Sequence, residues 1–125
     1  MNEKSELGKR GEEEAASYFL NEGYEILHKN YRIGYSEVDL ILKRGNLIVF
    51  AEIKSRSGAQ PVREEELITR SKVRALIRAA DVYLRRTPDD TEIRFDVVIL
   101  EYRENTLRLK HIEDAFREAG DFYDL

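Results

Sequence analysis

Residues 37–54 read Glu37-Val38-Asp39-Leu40-Ile41-Leu42-Lys43-Arg44-Gly45-Asn46-Leu47-Ile48-Val49-Phe50-Ala51-Glu52-Ile53-Lys54. Two apolar runs flank a Gly-Asn pair, and glycine at the first central position of a two-residue loop is the chemistry of a type II′ hairpin. With Gly45-Asn46 as the turn, Arg44 faces Leu47, and the same register sets Asp39 opposite Glu52 and Glu37 opposite Lys54. Side chains alternate along a strand. These four charged residues therefore share one face with Ile41, Ile48 and Phe50. The other face carries Val38, Leu40, Leu42, Val49, Ala51 and Ile53, with no polar interruption.

Outward from the hairpin, the pattern predicts a first helix over Ser5–Glu22. Ser5 is its N-cap, Gly23 its left-handed C-cap, and Gly8, Ala15, Ala16 and Phe19 its small or apolar stripe. A short strand near Tyr24–Lys29 precedes the acidic strand, which spans Tyr35–Lys43, and Leu47–Ser55 returns. Ser57–Pro61 reads as a loop. A second helix over Thr69–Arg86 buries Val73, Leu76, Ile77, Ala80 and Leu84, and Pro88 ends it. Ile93–Tyr102 is almost wholly apolar along Val97–Leu100, as in a strand covered on both faces. Thr106–Ile112 pairs with it across Glu104-Asn105, and a last short helix carries Ala115, Phe116 and Ala119. The order α-β-β-β-α-β-β-α predicts an α/β (α+β) fold, a mixed five-stranded sheet flanked by helices.

The chain has 125 residues, a length that suits a single domain over 1–125. Charged residues make up 37% of it, no apolar run reaches the ~18 residues of a spanning helix, and the opening ten residues are polar. A cytoplasmic chain with no membrane segment is the expectation. Without cysteine there is no disulfide frame, zinc–thiolate site or thiol nucleophile. The net charge is −4, yet residues 29–86 hold 13 Lys/Arg against 7 Asp/Glu. That asymmetry either focuses a polyanion onto one region or is ordinary surface patterning.

Two carboxylates opposed across a ladder repel by about 3 kcal/mol at roughly 5 Å and an effective dielectric near 20. A raised pKa, a basic neighbour or a bound cation relieves such a pair. Oxygen-only ligands select a hard ion, Mg²⁺ or Mn²⁺. Glu12 interrupts the first helix's stripe and should point towards the sheet, so that Glu12, Asp39 and Glu52 form a candidate metal set with Lys54 beside the ion. The alternative is a plain cross-strand ion pair between Lys54 and Asp39 or Glu37. A divalent ion held by carboxylates suits phosphodiester hydrolysis, with Lys54 orienting water or stabilising the transition state. Arg56, Arg70, Lys72 and Arg74 are candidate phosphate contacts. Tyr31, Arg32 and Tyr35 are either a substrate-contacting edge or packing residues. Asp96 reads as a salt-bridge partner for a nearby arginine, and His28 and His111 as structural or surface residues.

Gly8-Lys-Arg-Gly-Glu12-Glu-Glu-Ala15, Ser36-Glu37-Val38-Asp39-Leu40-Ile41, Phe50-Ala51-Glu52-Ile53-Lys54-Ser55-Arg56 and Arg94-Phe95-Asp96-Val97-Val98 resemble the motif series of the YraN-like bacterial family. That family is similar to archaeal Holliday-junction resolvases, within the PD-(D/E)xK restriction-endonuclease-like superfamily. The resemblance runs on to His111-Ile-Glu-Asp-Ala-Phe116. It implies a restriction-endonuclease-like core and a nuclease that uses Mg²⁺ or Mn²⁺ on structured or branched DNA. Glu12, Asp39 and Glu52 would be its acids and Lys54 its catalytic lysine. Val38 replaces the signature's proline, and Ser36 a glycine usual in the family. A resolvase-like protein would work as a homodimer, since two strands need two active sites. The alternative is a non-catalytic module that binds nucleic acid or a partner on the same scaffold.

Overall fold

Helix α1 (Glu6–Asn21) stops where its sequence supplies a residue able to take a left-handed conformation. Gly23 has φ 89°, its N–H donates to the Leu20 carbonyl, and the Tyr24 N–H donates to the Phe19 carbonyl. This is the Schellman arrangement, completed by the Tyr24 ring meeting Phe19 edge-on at 5.4 Å. The cap turns the chain directly into β1 (Glu25–Ile33). Then follow β2 (Ser36–Arg44), β3 (Leu47–Ser57), α2 (Arg70–Leu84), β4 (Glu92–Arg103) and β5 (Thr106–Phe116). The computed structural model describes residues 6–58 and 68–117. The expected Ser5 cap, Ala119 and most of the Ser57–Pro61 loop lie outside these residues.

The five strands form one sheet in the order β1-β2-β3-β4-β5. All neighbours are antiparallel except β3 and β4, which run parallel, Leu47 pairing with Glu92 and Ser57 with Tyr102. A parallel pair needs a crossover, and α2 supplies it. Thr69 caps α2 by accepting from the Lys72 N–H at 3.1 Å. In the hairpin, Leu40↔Ala51 to Arg44↔Leu47 keep the predicted register, and Gly45 takes φ 63° as a II′ turn requires. Glu104 and Asn105, both at positive φ, make the β4–β5 turn.

The two faces of the sheet are covered by different helices. Ala15 and Phe19 of α1 pack with Leu40, Leu42, Val49, Ala51, Val98 and Leu100. Val73, Leu76, Ala79 and Ala80 of α2 cover Ile41, Ile48, Phe50, Phe95 and Val97 on the opposite face. Gly11 sets the closeness of the first contact, because a Cβ built there would collide with the Ser55 hydroxyl and stand 3.3 Å from the Ser55 Cβ. Among the described residues, no helix is long and apolar enough to cross a membrane.

Two expectations are corrected. The residues given to a last helix, Ala115 and Phe116, belong to β5, which runs on through a register shift opposite Phe95/Val97. Asp114 takes φ 52° there, and Phe116 then pairs with Phe95, the two rings stacking at 5.0 Å. A kinked strand puts adjacent small and aromatic residues on buried ground, which imitates helical spacing. Val38 also leaves the face assigned to it. It packs on the α2 side, whereas Leu40 and Leu42 pack on the α1 side.

Asp96 ties the α1 side of β4 to its neighbours. It is fully buried, accepts two hydrogen bonds from Arg94 at 2.8 Å, lies 2.6 Å from His111 Nε2, and accepts the Asp114 N–H. Burial alone would raise its pKa, but the bonds from His111 and Arg94 outweigh it and hold the carboxyl below its ordinary value. Tyr18 closes the chain of contacts, 2.9 Å from His111 Nδ1. Asp96→Ala strands the Arg94 charge and should lower the unfolding free energy by about 3–5 kcal/mol in urea denaturation. Gly11→Ala should lower it by about 1–3 kcal/mol, through the overpacked α1–β3 contact.

Candidate active site

The antiparallel ladder between β2 and β3 runs from the turn to Leu40↔Ala51. Beyond that rung β3 stays bonded to β4 on its other side, while β2 stays bonded to β1 as far as Ile33↔Ser36. The inner edges of β2 and β3 therefore part, and a backbone donor on β3 loses its strand partner. Asp39 takes it over: its Oδ2 accepts the Ile53 N–H at 2.8 Å. A buried amide must be satisfied by something, and here a side chain replaces a strand. Asp39 and Glu52 are thus neighbours across the fork rather than a ladder pair, which corrects the strict register. The Glu37–Lys54 pairing is corrected likewise. Lys54 Nζ instead lies 3.2 Å from Glu52 Oε2, and the Glu37 carbonyl accepts from Lys72 Nζ at 3.1 Å.

Electrostatics concentrate on Glu52, which is 3% exposed, beside Asp39 at 9%. Burial pushes the Glu52 carboxyl up to about 7. The Asp39 charge and a hydrogen bond between the two carboxyls add to this, and Lys72 and Lys54 pull the other way. Lys72 Nζ stands 3.9 Å from Glu52 Oε2. Glu52 Oε1 is buried and has no hydrogen-bond partner among the described residues. Orphaned buried oxygens are uncommon and call for an explanation. An unsatisfied carboxylate oxygen beside a second carboxylate is a donor set that suits a hard divalent cation such as Mg²⁺ or Mn²⁺.

Glu12 is half-buried on α1, where its Oε1 accepts from Asn30 Nδ2 at 3.1 Å. Asn30, at φ 49°, lies between the rungs Lys29↔Leu40 and Tyr31↔Val38, in line with Asp39. The structure thus brings Asp39 and Glu52 together, with Lys54 and Lys72. Among the described residues it gathers no group of three His, Cys, Asp or Glu that could hold an ion. Arg56 is half-buried two residues past Lys54, its guanidinium donating to the Ser55 carbonyl. Arg70 and Arg74 are exposed on α2. Two residues gained importance that the sequence pattern had placed elsewhere or passed over. Lys72, a candidate phosphate contact with Arg70 and Arg74, falls in the first turn after the Thr69 cap and points at the acids instead. Asn30 falls just past the strand that the pattern predicts over Tyr24–Lys29, and its one signal is the tolerance of asparagine for positive φ.

The raised Glu52 pKa has a consequence for stability. Between its ordinary value near 4.5 and about 7 the folded chain keeps a proton that the unfolded chain releases. Stability must therefore fall as pH rises through that window. Thermal unfolding in chelator at pH 5, 6, 7 and 8 should show this decline. Glu52→Gln, uncharged and nearly isosteric, should flatten it and unfold several degrees higher than wild type at pH 8.

Residues 11–100, from α1 to near the end of β4, match the family described as Uncharacterised protein family UPF0102. A UPF0102 protein of Chlorobium chlorochromatii is 39% identical over 121 residues, covering 92% of this chain and 94% of the relative. One from Phocaeicola vulgatus is 37% identical over 116 residues, covering 93% and 96%. Another, from Chloroherpeton thalassium, is 37% identical over 126 residues, covering 94% and 98%. Relatives this similar, matched nearly end to end and across the segments that carry the fork, show that the chain belongs to the UPF0102 family.

Proposed function

We propose that this protein is a metal-dependent nuclease that hydrolyses phosphodiester bonds in structured or branched DNA. One observation carries the reading: Glu52, buried, with an orphaned oxygen and a pKa near 7, lies against Asp39 and two lysines. A buried acid beside a second acid, with one of its own oxygens left unsatisfied, is a poor device for stability and a common one at catalytic sites. Asp39 and Glu52 are the residues that would hold Mg²⁺ or Mn²⁺, and Glu12, held by Asn30, is the outer acid. When bound, such an ion would supply an activated water and neutralise charge at the scissile phosphate.

The chain's own residues do the rest. Asp39 is oriented by the Ile53 amide, which bonds its Oδ2 and holds the carboxylate beside Glu52. Lys54, a compact cation on a flexible stem, holds a non-bridging phosphate oxygen or the attacking water. Lys72, anchored on the Glu37 carbonyl, fixes the Glu52 carboxylate from the opposite wall. Arg56, Arg70 and Arg74 contact the backbone phosphates on either side, where residues 29–86 hold the chain's excess of cations. Preference for branched substrates follows from the likeness to Holliday-junction resolvases, and cutting both strands would require a homodimer. A second reading, a non-catalytic binding module, has one observation in its favour, the lack of a three-acid group among the described residues.

The test is cleavage of a labelled four-way junction in Mn²⁺, with single-stranded, duplex and flap controls. Wild type should cut. Glu52→Gln and Lys54→Ala, purified identically, should each cut at least about 100-fold more slowly. Binding without cutting, unchanged by metal or by either substitution, would establish the binding module instead.

A further inference from the structure

A recess of about 450 Å³ opens between β1 and the C-terminal end of α2. That volume lies within the roughly 300–1,000 Å³ range of small-molecule sites. His28, Tyr31 and Tyr83 form its aromatic walls, and Arg32 and Arg86 its cations. The His28 and Tyr31 rings lie 4.0 Å apart at 32°, and Tyr83 meets them edge-on at 5.7 and 6.0 Å. Strict strand alternation would send residues 28 and 31 to opposite faces. The left-handed Asn30 between them is what brings both rings to the α2 side. Tyr83 is itself braced against Phe50 at 5.7 Å, so the walls rest on regular elements.

Two further observations define the occupant. None of the described residues lining the recess is acidic, in a chain whose net charge is −4. The recess and the candidate active site lie along the same strand and helix: Tyr31 pairs with Val38, the residue before Asp39, and α2 runs past both, from Lys72 at the acids to Tyr83 at the recess about 16 Å further along the helix. Aromatic faces flanked by guanidinium groups accept a base by stacking and its phosphates by charge, whatever the sequence. Tyr35, fully exposed in the β1–β2 turn, adds an aromatic to the same sheet edge.

We infer that this recess is a stacking subsite for an unpaired nucleobase of the strand presented to Asp39 and Glu52, with Arg32 and Arg86 on its flanking phosphates. The inference rests on the nuclease reading and narrows it. A base inside a continuous duplex cannot enter, so the substrate carries unpaired nucleotides within a few positions of the cut, as tails, flaps and open junction centres do.

The test measures binding without chemistry. An eight-nucleotide single strand with one 2-aminopurine is titrated with the full chain in chelator, against a blunt duplex and the 2-aminopurine mononucleotide. The single strand should bind with quenched fluorescence and compete far better than either control. Tyr31→Leu, which removes a stacking face, and Val82→Glu, which sets a negative charge in the recess against the strand's phosphates, should each weaken it at least about fivefold. Val82 is 43% exposed, so its substitution leaves the core intact should Tyr31→Leu impair folding. Arg108→Gln, an exposed cation on β5 at the opposite edge of the sheet from β1, should bind and quench as wild type does, which separates the recess from general attraction to surface cations. Equal binding of the duplex, equal competition by the mononucleotide, or unchanged binding by both recess variants would each overturn the inference. Failure of junction cleavage with quenching intact would overturn only the nuclease reading.

Discussion

The hydrogen bond from the Ile53 amide to the Asp39 carboxylate occupies the point where two strands stop being partners. A sheet opened in its interior exposes donors and acceptors that water would otherwise have to satisfy. Here one charged side chain satisfies the first exposed donor and closes the ladder. The same side chain is thereby fixed in a buried position, next to a second acid that it disfavours. Removing Asp39 would free the Ile53 amide and relieve Glu52 together. Structural and chemical roles of this residue are therefore inseparable, and no substitution at it reports on one alone.

Charge is distributed over the two faces by different rules. On the α1 face, Asp96 is satisfied several times over by Arg94, His111 and a backbone amide. Its burial is compensated, and the network fastens β4, β5 and α1 together. On the α2 face, Glu52 is left short of partners although two lysines stand close. Two buried carboxylates on adjacent strands thus have opposite fates. The contrast separates an acid held for architecture from one held for chemistry more clearly than burial alone can.

Most of the sheet was legible in the sequence because its signals are local. The Gly45-Asn46 turn, the Gly23 cap and the Pro88 stop each act within a few residues. The apolar run Val97–Leu100 could only be a covered strand. The acid pair was legible too, since a regular register brings Asp39 near Glu52 even though the final rung is not made. What escaped notice depends on backbone irregularity. The β5 bulge at Asp114 and the turnover at Asn30 invert facing without changing composition, so Ala115, Phe116, Val38 and Tyr31 appear on sides that alternation does not give them. Lys72 reads from the sequence only as a phosphate contact beside Arg70 and Arg74, because the crossover that swings the start of α2 over the fork has no short-range signature.

The parallel pairing of β3 with β4 also has a kinetic meaning. The β1–β2–β3 meander is made of hairpin contacts between near neighbours, and such contacts close quickly. The central ladder joins Leu47 to Glu92 and cannot form until α2 and the strand after it are available. Contacts of high sequence separation form late and slow the whole reaction. During that interval the meander presents Ile41, Ile48 and Phe50 to solvent, and the free edge of β3 can recruit another strand. A chain emerging from the ribosome therefore passes through a stage in which its most apolar hairpin lacks its cover, and aggregation competes with folding there until β4 docks.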